Sequence, residues 1–174
     1  MSISILVAYT TRYGSTEEVA QSVAETLRKA GFAAKVEPAA RVQTLNGYDA
    51  VVLGTALYVG MLHGDAKSFL KKHRDALKDM PSAFFTLGPI YADPEGWNAA
   101  RRQAHKELEK FPWFTPATQE IFGGKYDPGK LGFPFRFIPP LRKMPPSDAR
   151  DWAAIEEWVS RSVVTAFQNA LTHA

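Results

Sequence analysis

At 174 residues, 45% hydrophobic and 22% charged, the chain suits one folded domain, 1–174, and is not a disordered sequence. It has no cysteine, which excludes disulfides, thiolate catalysis, cysteine-ligated clusters and zinc–thiolate sites and fits a reducing compartment. The net charge is +3 and the pI about 9.1; the basic clusters Lys67, Lys71, Lys72, Arg74 and Arg101, Arg102, Lys106, Lys110 read first as solvated helix faces, with steering toward an acidic partner or an anionic membrane surface as the alternative, and no nucleic-acid-binding motif accompanies them.

The first element is the apolar run Ile3 to Tyr9, which reads as a buried strand. It lacks a preceding basic region and is too short for a secretory signal, and no uncharged stretch is long enough to span a membrane. The expected location is therefore the cytoplasm, with peripheral contact to the inner face of the membrane left open. Residues 15 to 30 read as a helix with Val19, Val23 and Leu27 on its apolar face, closed by Gly31. Ala33 to Pro38 reads as a short strand near an edge. After the Asn46-Gly47 turn, Ala50 to Gly54 reads as a third strand. Residues 65 to 77 read as a helix, Ser82 to Leu87 as a fourth strand, 95 to 110 as a helix and Thr118 to Phe122 as a fifth strand. The last helix is expected to start near Ser147-Asp148 and to present Trp152, Ile155, Val159, Val163 and Phe167. Alternating strands and helices predict a parallel sheet covered on both faces. Five strands in this order suit an α/β three-layer, flavodoxin-like arrangement with strand order 2-1-3-4-5, whose ligands sit beyond the carboxyl ends of the strands at the switch point.

Three loops meet at that edge. The first is Thr10-Thr11-Arg12-Tyr13-Gly14-Ser15-Thr16, between the first strand and its helix. Free backbone N–H groups and the helix dipole favour an anion there, four hydroxyls can donate to it, and Gly14 permits the bend. The bland alternative is an ordinary strand–helix loop with Ser15 or Thr16 as N-cap. The second loop is Ala56-Leu57-Tyr58-Val59-Gly60 and the third Leu87-Gly88-Pro89-Ile90-Tyr91. Each sets a tyrosine among small and apolar residues, where a flat aromatic ligand could stack. Together the loops describe one site with a phosphate at one end and a planar ring at the other.

Other chemistries are absent. There is neither a P-loop nor a Gly-x-Gly-x-x-Gly fingerprint. Thr10 and Thr11 stand where a Mg²⁺ site of the receiver type would need carboxylates. His63, His73, His105 and His173 lack metal-ligand spacing and read as surface residues, so no metal is expected; His63 lies near the second loop. The pairs Glu17-Glu18 and Glu156-Glu157 read as solvated faces.

The first loop, with its Thr-Arg-x-Gly-x-Thr form at 11 to 16, resembles the phosphate loop of flavodoxin-fold FMN proteins. Met80-Pro81-Ser82-Ala83-Phe84, Phe122-Gly123-Gly124 and Asp148-Ala149-Arg150-Asp151-Trp152 are similar to the branch of that family containing the menaquinone-dependent protoporphyrinogen IX dehydrogenases. The resemblance implies FMN as cofactor, its phosphate at 10 to 16 and its ring between 56 to 60 and 87 to 91. It implies an oxidoreductase acting on a porphyrinogen with a quinone acceptor; the alternative is an electron carrier that docks redox proteins and has no substrate of its own. Two features depart from the family. The stretch Phe133 to Pro146 is shorter than the insertion of the porphyrinogen-oxidising relatives, and the pI is basic where electron-carrier flavodoxins are acidic. The oligomeric state is not legible. No side chain stands out as an acid or base; a flavin carries out the electron transfer and the protein positions it. The proline-rich stretch 124 to 144 reads as a substrate or partner surface, combining Tyr126, Phe133, Phe135 and Phe137 with Lys125, Lys130, Arg136, Arg142 and Lys143; the bland alternative is a packed structural loop whose aromatics complete the core.

Overall fold

A computed structural model describes residues 2–89 and 93–172. The elements run β1 (Ser4–Tyr9), α1 (Ser15–Lys29), β2 (Ala33–Pro38), β3 (Ala50–Tyr58), β4 (Met61–Leu62), α2 (Gly64–Lys72), α3 (Arg74–Asp79), β5 (Ser82–Leu87), α4 (Pro94–Leu108) and β6 (Thr118–Phe122). They continue with β7 (Lys125–Tyr126), α5 (Pro139–Lys143), β8 (Ser147–Asp148), α6 (Trp152–Trp158) and α7 (Val164–Thr172). Five strands pair in parallel in the order β2-β1-β3-β5-β6, the expected flavodoxin arrangement, with β4 added antiparallel to the end of β3.

Strand alternation builds the two faces. Ile5, Val7, Ala50, Val52, Ala83 and Phe85 enter one core, packed under α1 and the C-terminal helices. Their neighbours Leu6, Ala8, Val51, Leu53 and Phe84 enter the other, with Phe69, Leu70 and Leu77 from α2 and α3. Because both faces are covered, the strands read as continuous apolar runs. Gly54 belongs to this packing: a Cβ there would lie 2.2 Å from the Phe85 ring.

Several boundaries differ from the sequence expectations. β3 does not end at Gly54 but runs to Tyr58, because a tight turn at Val59-Gly60 lets β4 fold back and continue its ladder. The helix expected over 65 to 77 is two helices, broken at His73. His73 is not a surface residue: it is 7% exposed, and its ring packs on Phe69. His63 is partly buried and caps α2, its Nδ1 accepting from Asp65 N at 3.2 Å, while His105 is exposed beside Glu109; His173 lies outside the described residues. Ser147-Asp148 does not open the last helix. It pairs antiparallel with β7, and α6 starts at Trp152, where the Asp151 carboxylate accepts from Ala154 N at 3.0 Å. A π-helical turn, Val159–Val163, joins α6 to α7. Among the described residues no helix is long and apolar enough to cross a membrane, and no cluster of metal-ligating side chains is present.

Candidate functional site: a cradle and a roofed cleft

The first loop leaves β1 and turns at once into α1. Thr10 is held inward: its N–H donates to Gly54 O at 2.9 Å, and its hydroxyl shares a buried 2.8 Å hydrogen bond with that of Thr55. Thr11 Oγ1 accepts from Gly14 N at 2.8 Å, which closes the loop and leaves the Thr11 O–H free to donate elsewhere. Gly14 is the N-cap, with φ of 92°, a left-handed conformation that glycine adopts without strain; neither Ser15 nor Thr16 caps the helix. A glycine N-cap offers no side-chain acceptor, so the first N–H groups of α1 keep their donors for another partner. Thr16 completes the cradle. It is fully buried, yet its Oγ1 has no hydrogen-bond partner. Buried hydroxyls are nearly always paired, so an unpaired one under a helix N-terminus fits an acceptor such as a phosphate oxygen.

The second loop is tied to the first through Tyr58. Arg12 N donates to the Tyr58 hydroxyl at 3.0 Å, and the Arg12 guanidinium lies 5.2 Å from the Tyr58 ring centre. The Tyr13 ring meets Tyr58 edge-on at 6.4 Å. Burial raises the Tyr58 pKa above its ordinary value, against the opposing effect of the Arg12 N–H and charge, so the phenol stays neutral. Val59, at the tip of the turn, has φ of 51°, an uncommon conformation for a β-branched residue and a strained one. The turn is braced from behind by α4. Buried Glu107 accepts from Leu62 N at 3.2 Å, pairs with Lys67 at 3.0 Å and also takes a hydrogen bond from Lys110. Burial opposes its ionisation, but these donors outweigh burial and hold the carboxyl below its ordinary value.

The third loop meets the stretch after β6. Pro89 O accepts from Gly124 N at 2.8 Å, and Ala149 N donates to Gly124 O at 2.9 Å. Gly123 makes this approach feasible, since a Cβ there would sit 1.9 Å from Ala149 O. Beyond it, residues 125 to 148 form a flap: a two-stranded base, short 3₁₀ turns and α5, with the Tyr126 hydroxyl donating to Leu141 O. Arg150 fastens the flap to the cradle. Its side chain is 3% exposed; Nε and Nη2 bond Asp148 at 2.8 and 2.7 Å, and Nη1 reaches Glu18 and Ser15 O. Arg150 holds the Asp148 carboxyl below its ordinary value.

Between these parts lies a cleft of about 240 Å³. Arg12, Tyr13 and Ser15 border it on the cradle side, Ala56 to Val59 and Leu87-Gly88 form its wall, and Leu131, Phe135 and Leu141 of the flap roof it. Arg12 bridges floor and roof, 5.4 Å from the Phe135 ring centre. Of the other expected site residues, Thr10, Thr11, Gly14 and Thr16 form the adjoining cradle, Gly60 packs towards Gln103, and Pro89 anchors the flap. Ile90 and Tyr91 lie outside the described residues. A larger groove of about 720 Å³ runs along β6 between α4 and α6 and contains none of the expected residues; it lacks the cradle and the loop tyrosines. Thr55, Glu107 and Arg150 were not anticipated as supports. Nothing in the sequence marked Glu107 and Arg150 for this role, and their side chains prove to be nearly fully buried.

Comparison with known proteins agrees with this architecture. The family model described as "Flavodoxin domain" matches residues 6–139. Protoporphyrinogen IX dehydrogenase (quinone) of Escherichia coli (strain K12) is 35% identical over 92 residues, 52% of this chain and 51% of the relative. The chain thus spans about half the length of the curated relatives it matches. A flavodoxin variant from Pseudomonas aeruginosa superposes with a TM-score of 0.56 at 18% identity, covering 95% of this chain and 99% of the other. Rubredoxin oxygen:oxidoreductase from Desulfovibrio gigas gives a TM-score of 0.62 at 14% identity, covering 97% of this chain but 37% of the other. The family match runs from β1 through the cradle, the second and third loops and most of the flap, so the chain belongs to the flavodoxin domain family, and FMN comes with that membership as its cofactor.

Proposed function

We propose that this chain is an FMN-dependent oxidoreductase that withdraws electrons from a carboxylate-bearing tetrapyrrole macrocycle of the porphyrinogen class and passes them to a quinone. The observation that carries the reading is the roofed apolar cleft with Arg12 between Tyr58 and Phe135, directly beside the cradle. A carrier that only docks other proteins needs an open rim; flap side chains over the cleft suit a small-molecule substrate held beside the ring. The relative from Escherichia coli, a protoporphyrinogen IX dehydrogenase (quinone), supports the substrate class.

In this reading the cradle fits the FMN phosphate. Thr11, Ser15 and Thr16 hydroxyls and the first N–H groups of α1 would hold it, and the orphaned Thr16 Oγ1 would gain its missing partner. Residues 56 to 60 and 87 to 91 would flank the ring. Bound FMN supplies the redox chemistry. Tyr58 sets the wall of the cleft, and Leu131, Phe135 and Leu141 keep water from the reacting face. Arg12 pairs with a substrate carboxylate at the cleft mouth. For each pair of electrons the substrate loses two protons, and the quinone takes up two protons and two electrons to become a quinol. A quinone dissolves in the bilayer, so the protein would work as a peripheral protein on the cytoplasmic face of a membrane.

The test is turnover of the FMN-loaded protein with protoporphyrinogen IX and a water-soluble menaquinone analogue. Porphyrin should appear with matching quinol, and Arg12→Ala should raise KM for the porphyrinogen more than it lowers kcat. No turnover, with the flavin still reducible by a redox protein, would favour the electron-carrier reading.

A further inference from the structure

Six large apolar side chains among the described residues are exposed: Val59, Met61, Phe133, Phe137, Ile138 and Trp152. Five of them fall in two segments, the β3–β4 turn and the flap tip. Only Trp152 lies elsewhere, and the Arg150 guanidinium covers it, 4.7 Å from its ring centre. Both segments border the same cleft, since Val59 lines its wall and Phe135 its roof. Val59 is 88% exposed and Phe133 78% exposed, values that a folded chain normally avoids for such side chains when they cluster. Phe133 and Phe137 meet edge-on at 6.1 Å, so the flap tip presents two joined rings, with Ile138 following in sequence.

The charge has the same address. Residues 124 to 144 hold Lys125, Lys130, Arg136, Arg142 and Lys143 against Asp127 alone, a net of +4 where the whole chain carries +3. The rest of the protein is therefore slightly acidic. None of Lys130, Arg136, Arg142 and Lys143 forms a salt bridge with a described residue; Arg136 instead lies 4.7 Å from the Phe137 ring centre.

The geometry points to a docking surface for an anionic lipid bilayer, made by the β3–β4 turn and the flap tip around the cleft mouth. Exposed aromatics interleaved with unpaired cations suit the boundary between headgroups and acyl chains, where rings insert and cations meet lipid phosphates. An acidic protein would satisfy the cations but would not need Val59, Phe133 and Phe137 all bare. The surface deepens the proposed function, on which it rests for its purpose: a lipid-dissolved acceptor would reach the cleft without crossing water. The residues divide accordingly. Arg12, Tyr58 and Phe135 face the cleft, whereas Phe133, Phe137, Arg142 and Lys143 do not line it.

The experiment is co-sedimentation of the FMN-loaded protein with vesicles of phosphatidylcholine alone or with about one-third phosphatidylglycerol. The protein should bind the anionic vesicles, weakly at high salt, and the neutral ones poorly. Phe133→Ser with Phe137→Ser, and separately Arg142→Ser with Lys143→Ser, should each weaken binding by about tenfold or more. Flavin absorbance should stay unchanged in both, since none of the four side chains lines the cleft. Failure to bind anionic vesicles, or binding that both double variants leave intact, would overturn the proposal. So would capture on immobilised polyglutamate with none on vesicles, which would assign the surface to an acidic protein. Vesicle binding that depends on these four residues, in a protein without porphyrinogen turnover, would uphold the surface and count only against the catalytic reading.

Discussion

Thr16 shows how one atom separates two readings of a loop. A threonine at the second position of a helix is unremarkable in sequence, and a cap or a phosphate ligand explains it equally well. The fold removes the cap, because Gly14 occupies the N-cap and Thr16 Oγ1 is buried without a partner. Replacing both Thr11 and Thr16 by Ala should therefore weaken FMN by at least about tenfold, since hydrogen bonds to a charged acceptor contribute about 1.5–3 kcal/mol each. Thermal unfolding of the apoprotein should barely change, and riboflavin affinity should stay as it was. Flavin fluorescence quenching measures both ligands. His73 gives a second residue-scale prediction. Burial lowers its pKa below the ordinary 6.5, so the folded state keeps it neutral while the unfolded chain takes up a proton as pH falls. The stability it contributes is present above pH 6.5 and is lost progressively as pH drops from there towards its folded pKa. Urea unfolding at steps from pH 7.5 to 5 should show this loss. His73→Phe should flatten it; an unchanged slope in that variant would clear His73 of the effect.

At the scale of elements, the strands and α1 were legible because their signals are local and redundant. Apolar runs, a glycine stop at Gly31 and regular alternation all pointed the same way. The β3–β4 turn was not, because its tip is Val59, whose positive φ contradicts its own preference. Ser147-Asp148 carried a helix-start signal that β7 overrode by pairing with it, leaving Asp151 to cap the helix. The kink at His73 was hidden because the apolar positions on either side of it keep a helical spacing. Of these, the β3–β4 turn and the flap base build the cleft, and each is held by a charged residue that sequence periodicity does not mark. Glu107 braces the turn and Arg150 the flap. Glu107→Gln should cost about 1–3 kcal/mol in denaturant unfolding, because Lys67 and Lys110 lose their partner but still reach water. The wild-type contribution should persist above pH 4.5 and fade as pH falls through the depressed pKa of Glu107. A Glu107→Gln variant as stable as the wild type at pH 7 would show that the brace is not needed. Gly123→Ala should detach the flap base through its clash with Ala149 O, seen as faster proteolysis within 125 to 147 while the sheet stays folded.

Over the whole molecule, the strand order that the sequence implied sets where the crevice lies. Reversal of direction beside β1 leaves a crevice at the carboxyl ends of β1 and β3, and the three loops at that edge supply a cradle, a wall and an anchor for the roof. The position of that crevice was thus readable from element order. Its roof was not, since it depends on where an irregular chain returns, which no periodicity encodes. The central claim is that the cradle at Thr10 to Thr16 binds the terminal phosphate of FMN beside the cleft. The measurement that tests it most directly is the affinity of the apoprotein for FMN against riboflavin, which share the ring and differ by the phosphate. FMN should bind one per chain and more tightly than riboflavin by about a hundredfold, the worth of two charge-assisted hydrogen bonds at the low end of their range. Equal affinities would contradict the account.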